Sequence, residues 1–438
     1  MKRESMFETV NAHAAAIDIG AEKIFVSSDG SEVVSFSTYT ADYHRCVNYL
    51  KENSIRRVAM EATGVYWIPL YELLEQRGFE VCLVNPKEAK QVKGRKTDVK
   101  DCQWIQKLFS AGLLRESFIP AGKLKELRMM VREREDVIDM GSAYINKMQK
   151  ALELMNIKLT SVLSQIQGKS GRRMIEAIIN GERDTDKLLS LCYSSVRVNK
   201  AEEIKLALEG NYNETWLFIL SNNYNMWKQH QAHLKGIDKK IESLLDQLNE
   251  NRDKVRPTSK PKPIRHHQPE IANLDEKLLT LYGVKISSLS GLTDYSALRL
   301  VGETGYDLSR FPTEKHFISW CQLSPRNSQS GKMNRKIKLK MKSKAGNIFR
   351  EAAQSLIRSK KTAIGSFMRK IRSKKGSPIA IKAGARKLAA AYYNLITKGY
   401  EYVEQGIKQY QSKINEQEIR LLNKLAQKHD LVLITNKI

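Results

Sequence analysis

Four carboxylates in the first quarter of the chain, Asp18, Glu61, Asp98 and Asp101, have the residue type and the spacing of a metal-binding set. Asp18 and Glu61 each follow an apolar run that predicts a buried strand. Asp98 and Asp101 are three positions apart in a helical pattern, so they share one helix face. Hard divalent cations such as Mg²⁺ prefer oxygen ligands, and two such ions can stabilise both the attacking and the leaving oxygen of a phosphate displacement. These acids therefore predict metal-assisted phosphate chemistry.

A second candidate for chemistry is the stretch from Ser324 to Lys332, in which Ser330 precedes Gly331. A flexible loop at a Ser-Gly pair lets the backbone approach a phosphate, and the adjacent Lys332 and Arg335 would neutralise its charge. Taken alone, however, a Ser-Gly pair is also typical of an ordinary turn.

Positive charge is concentrated directly after this serine. The chain of 438 residues has a net charge of +26 and a pI near 9.7. Residues 331–376 contain 16 Lys and Arg against the single acid Glu351, so this segment holds over half of the net charge. A solvated basic face is the ordinary explanation of such a run, but this concentration favours a nucleic-acid surface and a polyanionic partner.

An alternation of strands and helices surrounds the first two acids. We predict strands at about 12–18, 23–28, 32–37, 56–61 and 79–84 and helices at about 40–53 and 66–77. This is the order of a ribonuclease H-like α/β domain, in which the first strand is central and the fourth lies beside it. Asp18 and Glu61 would then be neighbours, with the helix of Asp98 and Asp101 packed across the strand ends. The alternative is a generic α/β domain whose acids cap helices, as Asp98 could do after Thr97.

Two long helical segments follow, each with apolar residues at alternating spacings of three and four. The first repeat is Ile145, Met148, Leu152, Met155 and Leu159, and the second is Leu234, Ile237, Ile241, Leu244 and Leu248. This pattern is typical of a coiled coil. The two segments can pair within one chain or join two chains, and the sequence leaves both possibilities open. We interpret Trp216 and Trp227 as core residues.

Changes in composition divide the chain into segments. We expect a flexible N-terminus, an α/β domain, a helical coiled-coil region, a linker, a mostly helical C-terminal domain and a helical tail, at residues 1–11, 12–122, 123–250, 251–275, 276–405 and 406–438. The linker is rich in Pro, Lys and polar residues. After it, Leu289–Thr293 is similar to the turn of a helix-hairpin-helix element, with Thr293 in place of the usual second glycine. Small residues at Ala380–Tyr393 predict a core helix.

The cysteine and hydropathy patterns predict a cytoplasmic protein. The five cysteines are scattered among apolar or helical neighbours without a CxxC pair, so buried free thiols are expected. No signal peptide opens the chain and no apolar run reaches transmembrane length, so no membrane partner is expected. His266 and His267 lie in the polar linker without predicted partners, and no zinc site is expected there.

Five motifs occur in an order that is similar to one protein family. They are Met60–Trp67 (MEATGVYW), Val84–Pro86 (VNP), Lys96–Trp104 (KTDVKDCQW), Phe311–Phe317 (FPTEKHF) and Ser330–Lys332 (SGK). The sequence resembles the bacterial insertion-sequence transposases with an N-terminal DEDD domain and a C-terminal serine domain, over about residues 12–110 and 276–405. This family includes the Piv-type DNA invertases, and its transposases are the bridge-RNA-guided recombinases. The resemblance implies a ribonuclease H/RuvC-like domain, a coiled-coil segment and a mostly helical serine transposase domain.

The resemblance also assigns roles to individual residues. The four acids fall on the DEDD metal ligands, which implies a catalytic Mg²⁺ site with two ions and no nucleotide cofactor. Ser330 falls on the serine that becomes covalently joined to DNA, and Ser328 is a less favoured alternative because no glycine follows it. The residues expected to bind nucleic acid are Lys332, Arg335, Lys336, Lys338, Lys340, Lys344 and Arg350.

The function implied by the resemblance is RNA-guided cleavage and strand exchange on double-stranded DNA through a phosphoserine intermediate. It also implies a homo-oligomer, dimer or tetramer, with an active site shared between subunits, and nucleoid association when the protein is active. A DNA invertase without a guide would use the same chemistry. A junction-resolving nuclease would cut with water and leave Ser330 structural, and a nucleic-acid-binding protein without activity would not cut at all.

Overall fold

The computed structural model describes residues 8–62, 64–84, 97–325, 327–330, 333–336, 343–360 and 362–431. The chain divides into two compact units, Met1–Ile119 and Pro120–Ile438. The first is a mixed α/β unit and the second is mostly helical, which confirms the predicted succession of an α/β region and a helical remainder. Within the described ranges, no helix has the length and apolar character needed to cross a membrane.

A mixed sheet forms the centre of the first unit. Its strands are β1 (Ala14–Ile19), β2 (Lys23–Ser27), β3 (Val34–Ser37), β4 (Arg57–Glu61) and β5 (Glu80–Val84). The strand order is β3-β2-β1-β4-β5; β2 pairs antiparallel with β1 and β3, whereas β4 pairs parallel with β1 and β5. The predicted strands agree with these bounds to within two residues. The predicted central position of the first strand, with the fourth beside it, is confirmed.

Helices cover both faces of this sheet. They are α1 (Thr40–Glu52), α2 (Trp67–Gln76) and α3 (Asp98–Ser110). Successive residues of a strand point to opposite faces. Ile17 and Ile19 of β1 therefore pack in the cluster that contains α1 and α2, whereas Ala14 and Ala16 pack against α3. The small alanines on the second face allow α3 to approach the sheet closely.

Two residues before β1 are bound to the end of α3. Val10 and Asn11, in the segment expected to be flexible, each donate a backbone hydrogen bond of 2.8 Å to Ser110 O. The predicted free thiols are confirmed, since all five cysteines are free. Four of them are buried and Cys82 is half-buried.

The second unit begins with a pair of long helices and the short helices between them. These are α4 (Lys123–Leu154), α5 (Leu159–Val162), α6 (Lys169–Ile179), α7 (Thr185–Ser190), α8 (Ser194–Leu208) and α9 (Glu214–Asn249). Leu127, near the start of α4, shares a hydrophobic cluster with Leu244, near the end of α9. Leu152 shares a second cluster with Leu220, so the two helices run antiparallel. The long helices thus pair within one chain, which is one of the two alternatives that the sequence left open.

The first apolar repeat is longer than the helix that contains it. α4 ends at Leu154, and Asn156 adopts a left-handed conformation with φ 56°. The N–H groups of Asn156 and Ile157 donate to carbonyls of the last helical turn, as in a Schellman motif. The prediction that Leu159 continues the same helix is therefore wrong, because Leu159 begins α5.

The C-terminal part of the second unit packs on one end of this helix pair. Its elements are α10 (Leu274–Tyr282), a 3₁₀ turn (Ile286–Ser288), α11 (Asp294–Thr304), α12 (Glu314–Trp320), β6 (Asn327–Ser330), β7 (Met333–Lys336), α13 (Lys344–Leu356), α14 (Ala363–Lys375), α15 (Ser377–Lys398) and α16 (Tyr400–Lys428). The predicted core helix is confirmed, since Ala380, Ala385 and Tyr392 of α15 are buried. Thr293, which replaces the expected glycine, caps α11 by accepting the Ser296 N–H at 3.2 Å.

The linker follows the surface of the second unit. Residues 251–273 contain no helix or strand. Lys262 Nζ donates to Leu289 O at 2.9 Å, and the Glu270 N–H donates to Asp238 Oδ2 of α9 at 2.8 Å. These bonds hold the linker against α9 and against the segment between the 3₁₀ turn and α11.

Candidate active site

The sheet places Asp18 and Glu61 side by side. In the parallel register of β1 with β4, the last pair is Ile17 with Met60. Asp18 and Glu61 are the residues that follow this pair on the two strands. Ala16 and Ala59, two residues earlier on each strand, pack in the cluster that contains α3. Because side chains alternate along a strand, Asp18 and Glu61 lie on this same face.

Helix α3 brings the other two acids to this face. Thr97 caps the helix by accepting the Lys100 N–H at 3.3 Å, so the capping role falls on Thr97 and not on Asp98. Asp98 and Asp101 occupy the first turn, where the helix dipole favours negative charge. The buried Cys102 fixes this turn against the sheet, since its Sγ lies 3.1 Å from Phe25 O and 3.4 Å from Ala16 O and its single S–H donates to one of these two carbonyls at a time.

The other three acids act electrostatically on Asp18. Burial raises the pKa of Asp18, and repulsion from Glu61, Asp98 and Asp101 raises it further, to about 6. A nearby like charge disfavours the ionised form of a carboxyl, so each of the other three acids must be close enough to act on Asp18. The predicted convergence of the four carboxylates at one edge of β1 and β4 is therefore present in the fold.

The four carboxylates are ligands that suit a hard cation, although they do not form a preformed metal site. Every side chain of the set is a carboxylate, which is the ligand type of Mg²⁺ sites. Within the described part of the chain, no three His, Cys, Asp or Glu side chains are arranged as a preformed metal site.

The second candidate site lies on a hairpin. β6 pairs antiparallel with β7, with Ser330 opposite Met333 and Ser328 opposite Arg335. Ser330 is thus the last paired residue of β6. The flexible loop expected around this serine is replaced, at residues 327–330 and 333–336, by paired backbone.

The base of this hairpin is bound to the start of α13. Gln322, which follows α12, accepts the Ser343 N–H on its Oε1 at 3.1 Å. Ser343 in turn caps α13 by accepting the Gly346 N–H at 3.3 Å. A side chain at Gly346 would place its Cβ 2.1 Å from Cys321 O, so only glycine allows α13 to approach this closely. The two ends of the segment that contains Ser330 are therefore held together.

Two of the residues expected to bind nucleic acid have described side chains. Arg350 donates to Gln322 O at 3.2 Å and to Asn347 Oδ1 at 2.8 Å, so it also supports the hairpin base. Lys344 Nζ lies 3.6 Å from Glu135 Oε2 of α4. Arg335 and Lys336 are positions on β7, of which only the backbone is described, and Lys332, Lys338 and Lys340 lie outside the described residues.

Sequence reasoning missed the residues that anchor this base. Gln322 adopts a left-handed conformation with φ 57°, and Lys382 of α15 donates to Ser324 O at 3.0 Å. No local motif marks either residue, because their role depends on α13 and α15 folding back onto the end of α12.

Two family models match the chain. A DEDD transposase model of the IS110 type matches residues 15–157, and a model described as "Transposase IS116/IS110/IS902 family" matches residues 284–368. The first match contains all four acids and the whole sheet except Ala14, and the second contains Ser330, Gln322 and Ser343. No curated protein gives a significant match.

These matches, which together cover just over half of the chain, define the class of protein: a DNA transposase, an enzyme that cleaves and rejoins DNA strands. Within that class, the chain belongs to the IS110-type transposases.

Proposed function

We propose that this transposase cleaves DNA by attack of the Ser330 hydroxyl on a phosphodiester, with Mg²⁺ bound by Asp18, Glu61, Asp98 and Asp101. A guide RNA would select the double-stranded donor and target DNA, as the family resemblance implies. The observation that carries the metal-assisted part is the shared field of the four acids, which raises the pKa of Asp18 to about 6. Like charges held together destabilise a fold, and such clusters are typical of functional sites.

The carboxylates have a defined task in this proposal. At neutral pH an acid with a pKa of about 6 is mostly ionised, so Asp18 is available as a ligand. Bound Mg²⁺ would polarise the scissile phosphate and favour ionisation of the attacking hydroxyl. The rigid packing of α3 on β1 keeps Asp98 and Asp101 directed to the strands that carry the other two acids.

Ser330 carries the covalent step. Its Oγ forms a bond to phosphorus while one P–O bond of the DNA strand breaks, and the released strand end leaves as a hydroxyl. The proton lost by the serine balances the proton gained by the leaving oxygen. The phosphoserine keeps the energy of the phosphodiester, so attack by a different strand end rejoins DNA without a nucleotide cofactor.

The wider architecture supports the same proposal. The central β1, with β4 parallel beside it, is the arrangement expected of a ribonuclease H/RuvC-like domain. The antiparallel pair of α4 and α9 is consistent with the coiled-coil segment. We extend the proposal to a homo-oligomer, dimer or tetramer, and to nucleoid association, because the resemblance implies them. We also extend it to a cytoplasmic location, which the cysteine and hydropathy patterns predict.

The guide is tested first, because it also supplies the substrate. RNA that co-purifies with the full chain is sequenced. We expect one discrete RNA with segments complementary to the element's donor and target DNA. Bulk cellular RNA without such segments would contradict guidance and leave an unguided invertase.

The serine is tested by trapping its adduct on a nicked DNA substrate, from which the released end diffuses away. Digestion and mass spectrometry should locate a phosphonucleotide on Ser330. Ser330→Ala should lose both the adduct and strand exchange while DNA binding persists, and Ser328→Ala is the matched control that keeps them. An adduct on Ser328, or cleavage by Ser330→Ala at the normal rate, would overturn the assignment and favour a nuclease that uses water.

A further inference from the structure

A buried amide, Gln106, lies on the face of α3 that packs on the sheet, and the residue is 5% exposed. Its Nε2 lies 3.2 Å from Ala14 O, 3.3 Å from Ser28 O and 2.9 Å from Ser110 Oγ. The two hydrogens of this amide donate to two of the three acceptors at a time. Ala14 begins β1, and Ser28 lies in the turn between β2 and β3. Gln106 therefore joins α3 to two separate parts of the sheet.

The two carbonyls lie at one end of the ladder between β1 and β2. The last pair at this end is Ala16 with Ser27, and both Ala14 and Ser28 lie beyond it. The turn leaves room for the amide, because a Cβ at Gly30 would lie 2.6 Å from Gln106 Oε1. Gly30 also has a φ of 77°, which favours glycine. The turn is thus shaped around the side chain of Gln106.

A second contact of α3 with β1 has the same register. Gln106 contacts Ala14, and Cys102 Sγ lies 3.4 Å from Ala16 O. Four helical residues advance about 6 Å, and two strand residues advance about 6.6 Å, so the two steps nearly match. Helix and strand therefore run in opposite directions with one turn of α3 for every second residue of β1.

The same register leads to the carboxylate cluster. One further step, four residues back along α3 and two residues forward along β1, brings Asp98 beside Asp18. Gln106 lies eight residues from Asp98, which is about 12 Å along the helix. The position of Gln106 at one end of the contact therefore determines where Asp98 lies at the other end.

The apolar contacts of this interface do not define such a register. The sheet presents small side chains to α3, among them Ala14, Ala16 and Ala59. Apolar attraction has no direction, whereas hydrogen bonds depend on distance and angle. The S–H of Cys102 is a weak donor, and Gln103 donates to Ser31 O only at the exposed edge of the turn. Among these contacts, the amide of Gln106 is the strong, buried and directional one.

We propose that Gln106 is a positioning residue for the carboxylate cluster. Its bonds to the sheet set the position of α3 along β1, and with it the distance of Asp98 and Asp101 from the two acids of the strands. A slide of α3 by one residue would move both acids by about 1.5 Å. Mg²⁺ demands near-octahedral geometry with ligands at roughly 2.0–2.1 Å, so such a slide would weaken binding. This inference rests on the metal site of the proposed function.

The first test compares two substitutions on the buried face of α3 in the full chain. Gln106→Met keeps the length of the side chain and removes both donors, whereas Ile105→Val trims the same face and leaves the hydrogen bonds intact. The probe is Mn²⁺, which takes the same oxygen ligands as Mg²⁺ and whose free ion is measured by electron paramagnetic resonance. Gln106→Met should raise the Kd by roughly 10- to 100-fold, the effect of removing a group that orients metal ligands. Ile105→Val should keep the wild-type Kd, and thermal unfolding verifies that both variants fold.

The second test leaves Gln106 in place and displaces it from the turn. Gly30→Ala puts a Cβ against Gln106 Oε1, whereas a Cβ at Gly78 meets no atom within 4 Å. Both glycines have a positive φ, 77° and 84°, so the two substitutions impose similar backbone strain. Gly30→Ala should raise the Kd for Mn²⁺, and Gly78→Ala should leave it unchanged.

A cleavage assay over a range of Mg²⁺ separates positioning from chemistry. Gln106→Met should need more Mg²⁺ for its half-maximal rate and should approach the wild-type rate at saturation. A wild-type Kd for both Gln106→Met and Gly30→Ala, or an equal rise in each variant and its control, would overturn the role of Gln106 and leave the metal site intact. A wild-type chain that binds no Mn²⁺ would overturn the metal site of the proposed function, and this inference with it.

Discussion

The carboxylate cluster of the first unit and the hairpin base of the second are held by opposite means. In the first, rigid packing of α3 on β1 forces like charges together, and the raised pKa of Asp18 is the result. In the second, hydrogen bonds from Ser343 and Arg350 to Gln322, with the close approach of Gly346, join groups that do not repel one another. The comparison teaches that the acid cluster lowers the stability of the fold, whereas the contacts at the base of the serine hairpin increase it.

The largest expected effect is loss of chemistry from the carboxylate cluster. Asp18→Ala and Asp101→Asn should each reduce strand cleavage to the background rate, because each removes an oxygen ligand from the metal site. Folding and nucleic-acid binding should persist, since neither change opens the core. A cleavage assay with Mg²⁺ measures the effect, with Glu52→Gln on the exposed surface of α1 as the control. Wild-type cleavage by either variant would show that the acids are not ligands.

The hairpin base should respond in the other way, by losing stability. Gly346→Ala places a Cβ 2.1 Å from Cys321 O, and the shift of α13 should lower the free energy of unfolding by about 1–3 kcal/mol. Gly236→Ala on α9 meets no atom within 4 Å and should raise it by up to about 1 kcal/mol, because alanine favours helix. Urea denaturation measures both. If the two substitutions have the same sign, the close contact of α13 with α12 is not what fixes the hairpin.

The smallest effect is a pH-dependent gain in stability on removing one repelling charge. The folded-state pKa of Asp18, about 6, lies above its ordinary value of 3.8, so the folded state binds this proton more tightly. Asp18 therefore contributes stability to the metal-free wild type that is present below about pH 4 and is lost as pH rises through 6. Asp18→Asn should melt higher than the wild type at pH 7, by roughly 5 °C for this half-buried group, with no difference near pH 4.

Thermal unfolding with and without Mg²⁺ completes that experiment. Mg²⁺ should raise the Tm of the wild type at pH 7 and leave Asp18→Asn nearly unchanged, because only the wild type keeps the full set of carboxylates. A difference in Tm between the wild type and Asp18→Asn that is the same at pH 4 and pH 7 without metal would show that the carboxylates do not repel one another.

The first unit was largely predictable from the sequence because its signals are local. Runs such as Ala14–Ile17 alternate between two buried faces, and Gly30 and Gly78, both with positive φ, separate the elements. The parity of side chains along β1 and β4 then places Asp18 and Glu61 together, so the acid cluster follows from strand order.

The second unit was less predictable because its features depend on distant segments. The strands of the serine hairpin, Asn327–Ser330 and Met333–Lys336, are short and polar, so hydrophobic alternation does not reveal them. Asn156 ends α4 by adopting a left-handed conformation, which an apolar repeat cannot indicate. The adjacent His266 and His267 had no visible partners in the sequence, and only the folding of the linker onto α4 and α9 brings them beside Arg134.

The antiparallel pair of α4 and α9 also has a mechanical consequence. With 32 residues, α4 is roughly 48 Å long. One end of the pair is embedded among the C-terminal helices and the other among the short helices α5 to α8, in two separate hydrophobic clusters. A helix pair that is packed at both ends moves as a rigid body. A tilt of about 5° at one cluster would therefore displace the other cluster by roughly 4 Å.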